Sequence, residues 1–432
     1  PQRLPAVGVL LVALFPFTAG RCVAQTQVWA VDALVKVVPQ DTMPPDALRE
    51  VRIAAARGEH EAGQVVVRSA AAIKALSVAA GPLRADGAAS TLDDVRPYFL
   101  RFVSVTSATG VTPPAELAAK LPARLPDAMV ADESMALAAG QAQPVWIVVR
   151  VPEGAAPGTY RGLVTVDADG ATTSLPLVVQ VHSAVVPAKR SFKVFQWLFY
   201  DSGRGWGRLR HKLGGEAWDD QDWAMLDAIA RNMVEHRQNM FSLPLFHGVL
   251  CGPDVHSVRV IRDGDGYRFD FSLFDRAAET FLRHDPEGVL VGGYLSVFNV
   301  HGRVLDDRGG VSLVSPRVQL YDPNGAKRSV LPSVDVDHES YRAFLSAMMP
   351  ALQKHLEEKG WIDNFMMSVN DETFPEFIRS RIELVAFVRQ LAPKIRFLDA
   401  NRNTEQVGAC DMWFPLPHHV EAIGAGAFEL HE

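Results

Sequence analysis

Two neighbouring carboxylates and an amide stand at the end of an apolar run in FMMSVNDETFPEF, where Asn370, Asp371 and Glu372 follow Val369 directly. Taking a carboxylate out of water is expensive, so a pair of them at the mouth of a strand-like apolar run needs a reason. One acid would suffice to cap a helix beginning in FPEFIRSR. The second has no such use, and acid–base chemistry is the reading that employs both.

Adjacent acids restrict that chemistry. Ordinary retaining and inverting glycosidases set two carboxyl groups across the scissile bond, about 5 to 9.5 Å apart, commonly from different strands. Neighbouring residues at one strand tip lie on the same side of a substrate. This suits a reaction in which a 2-acetamido group of the sugar supplies the nucleophile and the protein keeps one acid for proton transfer. A negative charge beside Glu372 disfavours its ionisation and helps keep its proton available.

Such a pair must be positioned by repeating elements, and the second half of the chain has them. After VVPAKRSF, apolar runs of strand length alternate with segments of helical period: FKVFQWLFY, WAMLDAIARNMVEHRQ, NMFSLPLF, SLFDRAAETFLRHD, GVLVGGYLSVF, SYRAFLSAMMPALQKHLEEKG, NFMMSV, FPEFIRSRIELVAFVRQLAP, IRFLDAN and CDMWFPL. Repeated β then α predicts parallel strands with crossover helices, and such strands read as nearly continuous apolar runs. Six strands are counted where an α/β barrel has eight. A doubly wound sheet is disfavoured because the first βα turn lacks a glycine-rich phosphate fingerprint. The expected unit is therefore a TIM barrel with about six of its eight βα units, over residues 189–432.

Catalytic groups of such barrels sit at the carboxyl ends of the strands. The strand ends collect Tyr200 and Asp201, His247, Asn299 and His301, then Asn370, Asp371 and Glu372, then Asn401 and Asn403, and finally Trp413. Amides, imidazoles, carboxylates and aromatic rings on one rim offer hydrogen bonds to hydroxyls and a flat apolar surface, as a sugar site requires. Each lone histidine, including His211, and Trp413 also has an ordinary structural reading. RDGDGYRFDF resembles the start of a calcium loop, but the twelfth position from Asp263 is Phe274, so it reads as a hairpin turn. Ser272 with Asp275 three residues later resembles a capping box before RAAETFL. Tyr341, Leu345, Met348 and Leu352 form one apolar stripe of a helix that Gly360 ends.

The first half has a different grammar. From residue 26 to 188, short alternating runs such as AGQVVVRS, YFLRFVSV, PVWIVVRV and YRGLVTVDA are separated by Gly, Pro, Asp and Ser, as in an all-β sandwich. VPEGAAPGTYRG reads as a turn and the Pro-rich stretch from Thr112 as a long surface loop. Residues 1–25 have Arg3, an apolar run from Leu4 to Phe17 and small residues up to Ala24, the pattern of a secretory signal peptide. Export to the periplasm or beyond is the expected location. The absence of a terminal cap at Glu432 suggests a fragment that would be poorly active or insoluble through its open sheet edges.

Composition bounds the partners. A net charge of -7 with no basic block gives no footprint for nucleic acid, and no second segment reads as membrane-spanning. Beyond the leader only Cys251 and Cys410 remain, too few for a disulfide scaffold and without metal-ligand spacing, though one bridge between them stays open.

ARGEHEAGQVVVRS and QPVWIVVRVPEGAAPGTYRGLVTV in front, with FDFSLFD, SVNDETFP and CDMWFPL behind, resemble glycoside hydrolase family 123 over nearly all of the mature chain. Only the Asp-Glu pair is a specific catalytic signature. The resemblance implies a β-sandwich followed by a TIM barrel, and release of β-linked N-acetylgalactosamine from a glycan with retention of configuration through the substrate's acetamido group. It gives Asp371 the task of orienting that group and Glu372 that of acid and base, and implies no metal or organic cofactor. Two alternatives stand beside it: a glycosidase of another sugar with its second carboxylate on a different strand, and a non-catalytic glycan-binding protein.

Overall fold

The structure is a computed structural model. It describes residues 26–87, 89–108, 112–196, 198, 219–246, 257–296, 313–371, 373, 375–400, 406 and 408–414. Contacts divide the chain into two compact units, Pro1–Lys189 and Arg190–Glu432.

The first unit is built of two sheets. One runs in the order Thr26–Val31, Glu59–Ser69, Ala142–Val151, Val95–Val105, Ala123–Val130, and every pair described in it is antiparallel. The other runs Val51–Arg57, Ala171–Val185, Gly158–Ala168, Ile73–Ala80, Met135–Leu137, with one parallel pair between its first two strands. Side chains alternate as the period of two demands: Val164, Val166 and Ala168 are buried, while Thr165 and Asp167 are partly exposed. Val65, Val67, Val145 and Ile147 from one sheet share a single apolar core with Ile53, Tyr160, Val164 and Val179 from the other. The segment from Thr112 is the expected loop only as far as Pro122, with a short 3-10 turn at Pro114–Glu116; from there Ala123–Val130 pairs with Val95–Val105 at the margin of its sheet. Pro126 lacks an N–H, which is tolerated in a strand with only one neighbour.

The second unit has five parallel strands: β1 (Met240–Ser242), β2 (Val289–Tyr294), β3 (Phe365–Ser368), β4 (Arg396–Asp399) and β5 (Met412–Trp413). Each pairs with the one before it in the chain, and Phe195 bridges in parallel to Met240 on the open side of β1. Helix α1 (Asp220–Glu235) precedes β1, α2 (Ser272–Leu282) and α3 (Glu339–Lys359) precede β2 and β3, and α4 (Ile378–Leu391) joins β3 to β4.

Both faces of this sheet are buried, which explains the unbroken apolar runs. Phe241, Leu290, Phe365, Met367 and Phe397 pack with the helices. Met240, Val289, Val291, Met366 and Leu398 form a separate cluster, joined by Phe195, Met412 and Phe414. In α3 the stripe of Tyr341, Leu345, Met348 and Leu352 is buried as expected, and Gly360 closes the helix at φ 72°, in the left-handed region that glycine enters without strain.

RDGDGYRFDF forms the hairpin Arg259–Asp263 and Gly266–Asp270, part of a four-stranded sheet with Val318–Tyr321 and Lys327–Leu331. The capping box at Ser272 does not form. Ser272 is the first helical residue and its N–H and Oγ donate to Asp270 Oδ1 at 2.9 and 2.5 Å, while Asp275 turns away to His355 and Lys359. Of the described helices none is long and apolar enough to cross a membrane.

Candidate functional site

Because the five strands are parallel, their carboxyl ends fall on one edge. Register fixes the neighbours there: Tyr294 lies opposite Ser368, and Ser368 opposite Leu398. Beyond the last pairs the chain is tied further, with Leu295 N–H donating to Ser368 O at 3.1 Å and Ser296 N–H to Val369 O at 2.7 Å. Tyr341 Oη donates to Leu295 O at 2.6 Å from α3. The apolar strand thus delivers Asn370 and Asp371 to a fixed place on the rim.

Asn370 is fully buried and Asp371 beside it is exposed. The amide is held on both sides: its Nδ2 donates to Asp371 O at 3.2 Å, and Thr373 Oγ1 lies 3.1 Å from its Oδ1. Ser368 Oγ donates to Asn370 O at 2.9 Å. Asp371 is not a helix cap, since α4 begins only at Ile378, after a short 3-10 turn at Pro375–Phe377.

Below this surface lies a second polar layer. Thr373 Oγ1 is also 3.1 Å from Asp399 Oδ2, at the end of β4. Asp399 Oδ2 stands 3.4 Å from Nε of Arg381, and both side chains are buried. Burial pushes the Asp399 carboxyl above its ordinary range, against the pull of Arg381 and of the Thr373 hydrogen bond, and the charge of Asp371 adds to the rise. Cys410, just before β5, is free and buried, and burial pushes its thiol up to about 11. Cys251, the other half of the bridge left open by the sequence, lies outside the described residues.

Of the residues expected at the rim, Asn370 and Asp371 meet there. Trp413 ends β5, partly exposed, with its Nε1 donating to Cys410 O at 3.4 Å. Glu372, Tyr200, Asp201, His211, His247, Asn299, His301, Asn401 and Asn403 lie outside the described residues. Among the described residues no cluster of His, Cys, Asp and Glu could hold a metal ion.

The residues missed from sequence are Thr373, Arg381 and Asp399. Arg381 had a signal: it stands in the buried face of α4 with Ile378, Leu384, Val385 and Val388, where a charge has no place unless paired. Asp399 closes the apolar part of IRFLDAN directly after Leu398, which lies opposite Ser368.

An exposed carboxylate next to a buried, doubly anchored amide can hold a polar substrate group in one orientation and steady positive charge on it. The comparisons agree with carbohydrate chemistry. The family model described as the glycoside hydrolase 123 catalytic domain matches residues 209–424, and that of the glycoside hydrolase 123 N-terminal domain matches residues 39–168. A family 123 glycoside hydrolase from Clostridium perfringens, studied for glycolipid glycan hydrolysis, superposes with TM-score 0.69 at 13% identity, over 94% of this chain and 70% of that one. At that identity the likeness speaks for the fold. The CooA pilin subunit of enterotoxigenic Escherichia coli (TM-score 0.20, 9% identity, 37% of this chain and 99% of that one) and a beta-glucosidase from Listeria innocua (TM-score 0.17, 14% identity, 38% and 17%) are too distant to carry an argument. No curated protein matches the sequence. With its catalytic-domain match spanning half of the sequence, the chain belongs to glycoside hydrolase family 123 and is by that membership a glycoside hydrolase.

Proposed function

We propose that the protein is an exported, retaining exo-glycosidase that removes β-linked N-acetylgalactosamine from glycans by substrate assistance. The observation that carries this reading is Asp371, exposed on the strand-end rim directly after the buried Asn370, inside the family's catalytic domain. The scaffold we infer is a TIM barrel behind a β-sandwich, with units 26–188 and 189–432. Unreversed chain order of the parallel strands supports it, as does the second apolar cluster, to which the four strands β1 to β4 each contribute.

In the proposed reaction the Glu372 carboxyl gives its proton to the glycosidic oxygen while the acetamido carbonyl oxygen attacks the anomeric carbon. The aglycone leaves as an alcohol and a cyclic oxazolinium remains. Asp371 accepts the acetamido N–H and balances the positive charge of the ring. Water then attacks the anomeric carbon, Glu372 takes its proton, and the acetamido group is restored with configuration retained. No metal or organic cofactor enters these steps.

A conventional double displacement requires a reachable second carboxylate on another strand. The described candidate, Asp399, is 1% exposed and faces Arg381, which closes it to a sugar. Rates on aryl β-glycosides of N-acetylgalactosamine and of galactose test the proposal. Glu372→Gln should lower kcat by about 10²- to 10⁴-fold. Asp371→Asn should lower it by about 10²- to 10³-fold, and only on the acetamido sugar. Equal losses on both sugars would exclude substrate assistance.

A further inference from the structure

Arg381 and Asp399 are poorly arranged to stabilise the protein. The guanidinium is fully buried, its Nε stands 3.4 Å from its carboxylate, and among the described residues none of Nε, Nη1 and Nη2 makes a hydrogen bond. Asp399 Oδ1 is likewise buried without a side-chain partner among the described residues, and the Ala400 backbone N–H supports the carboxylate. Removing two ions from water is costly, and an ion pair without hydrogen bonds from the guanidinium does not return that cost. A pair of apolar side chains would serve stability better.

What the pair does reach is the rim. Asp399 Oδ2 meets Thr373 Oγ1 at 3.1 Å, and the same hydroxyl meets Asn370 Oδ1 at 3.1 Å. Asn370 in turn donates from Nδ2 to Asp371 O. One chain of contacts therefore runs from α4 through the end of β4 to both sides of Asp371. The charged and titratable groups that act on Asp399 are Arg381 from α4, Asp371 from the loop after β3, and Cys410 from the approach to β5.

We propose that Arg381 and Asp399 are positioning residues, which through Thr373 and Asn370 hold the segment carrying Asp371 in its reactive orientation. The proposal rests on the glycosidase reading in that Asp371 faces the substrate. Neither residue of the pair touches the sugar. Arg381 keeps Asp399 in place, Asp399 and the Asn370 amide oxygen share the one Thr373 hydroxyl, and that hydroxyl sets the amide over which Asp371 is hung. An offset of about 1 Å in a reacting group costs about 10²-fold in rate, so a small relaxation of this chain is large in kcat.

The test compares the parent, Thr373→Val, Thr373→Ser and Asp399→Asn on the aryl glycoside, acetamido or 2-hydroxy, that the parent turns over fastest. Rates are taken per folded molecule, well below each melting temperature. Thr373→Val keeps the volume and loses the hydroxyl; kcat should fall by about 10- to 100-fold with KM within about twofold. Thr373→Ser should restore most of the loss, and Asp399→Asn should resemble Thr373→Val. Parental kcat in Thr373→Val, or an equal loss in Thr373→Ser, overturns the positioning role. A parent that prefers the 2-hydroxy sugar overturns the acetamido reading alone, since the same comparison still tests Thr373. A parent inert on every glycoside overturns both.

Discussion

Replacing Arg381 with Met isolates what the buried cation does for the fold. Met fills much of the same space, so the main change is an Asp399 carboxylate left in a buried site without its counter-charge. Ionised, that group would be several kcal/mol too costly, and the variant avoids this by keeping the carboxyl protonated. Holding a proton on a group whose unfolded pKa is about 3.9 costs about 1.4 kcal/mol per pH unit above it, a ceiling of about 5 kcal/mol at pH 7.5 and about 1.5 kcal/mol at pH 5. In the parent, burial already holds the Asp399 carboxyl above its ordinary range, so part of that ceiling is present before the substitution. The expected loss is about 3 kcal/mol at pH 7.5 and about 1 kcal/mol at pH 5.

The sign follows from proton counts. A carboxyl whose folded pKa is raised binds its proton more tightly in the folded state, so stability falls as pH rises from the unfolded value through the folded one. Below the unfolded value the penalty vanishes. All four described α-helices lie in the unit Arg190–Glu432, so urea unfolding followed by helical circular dichroism reports on that unit. The double variant Arg381→Met with Asp399→Asn removes the titrating group and should lose the added pH dependence. An equal loss at both pH values, or a double variant no less pH-dependent than the single one, would refute the reasoning.

Two further outcomes follow from the packing. A Cβ at Gly292 in β2 would press into the ring of the fully buried Phe365, so Gly292→Ala should destabilise this unit by about 1 to 3 kcal/mol, read from the same urea curves. Cys410, buried and with its thiol pushed up to about 11, should resist alkylation at pH 8 in the folded protein and react on unfolding, which peptide mass mapping of that site checks.

Much of this was legible in the sequence because burial on both faces leaves a plain record. FMMS and IRFLD are unbroken by solvent-facing residues apart from their ends, and each became a central parallel strand. The stripe in α3 was equally clear. Errors came where a local signal was outbid by tertiary contacts. Ser272 and Asp275 have the spacing of a reciprocal cap, yet Asp270 and His355 offer them better partners. The two prolines around ARLPDAMV disguised a strand that needs hydrogen bonds on only one side. Arg381 was overlooked for the opposite reason: helical periodicity places it among apolar residues, and a charge in such a stripe is easily passed over as a surface position. Its partner, eighteen residues away on the next strand, becomes visible only when the chain is folded.

The strand order in the second unit bears on how the chain is assembled during synthesis. Each new strand pairs with the one made just before it, across a single helical crossover or excursion, so its docking edge already exists when it leaves the ribosome. β3 can zip onto β2, and β4 onto β3, without awaiting distant sequence. The segment bearing Asp371 acquires one wall from β2 as soon as β3 docks, but its tether to Asp399 closes only when β4 arrives. Orientation of the reactive loop is thus a late event in a growth process that proceeds from the amino end.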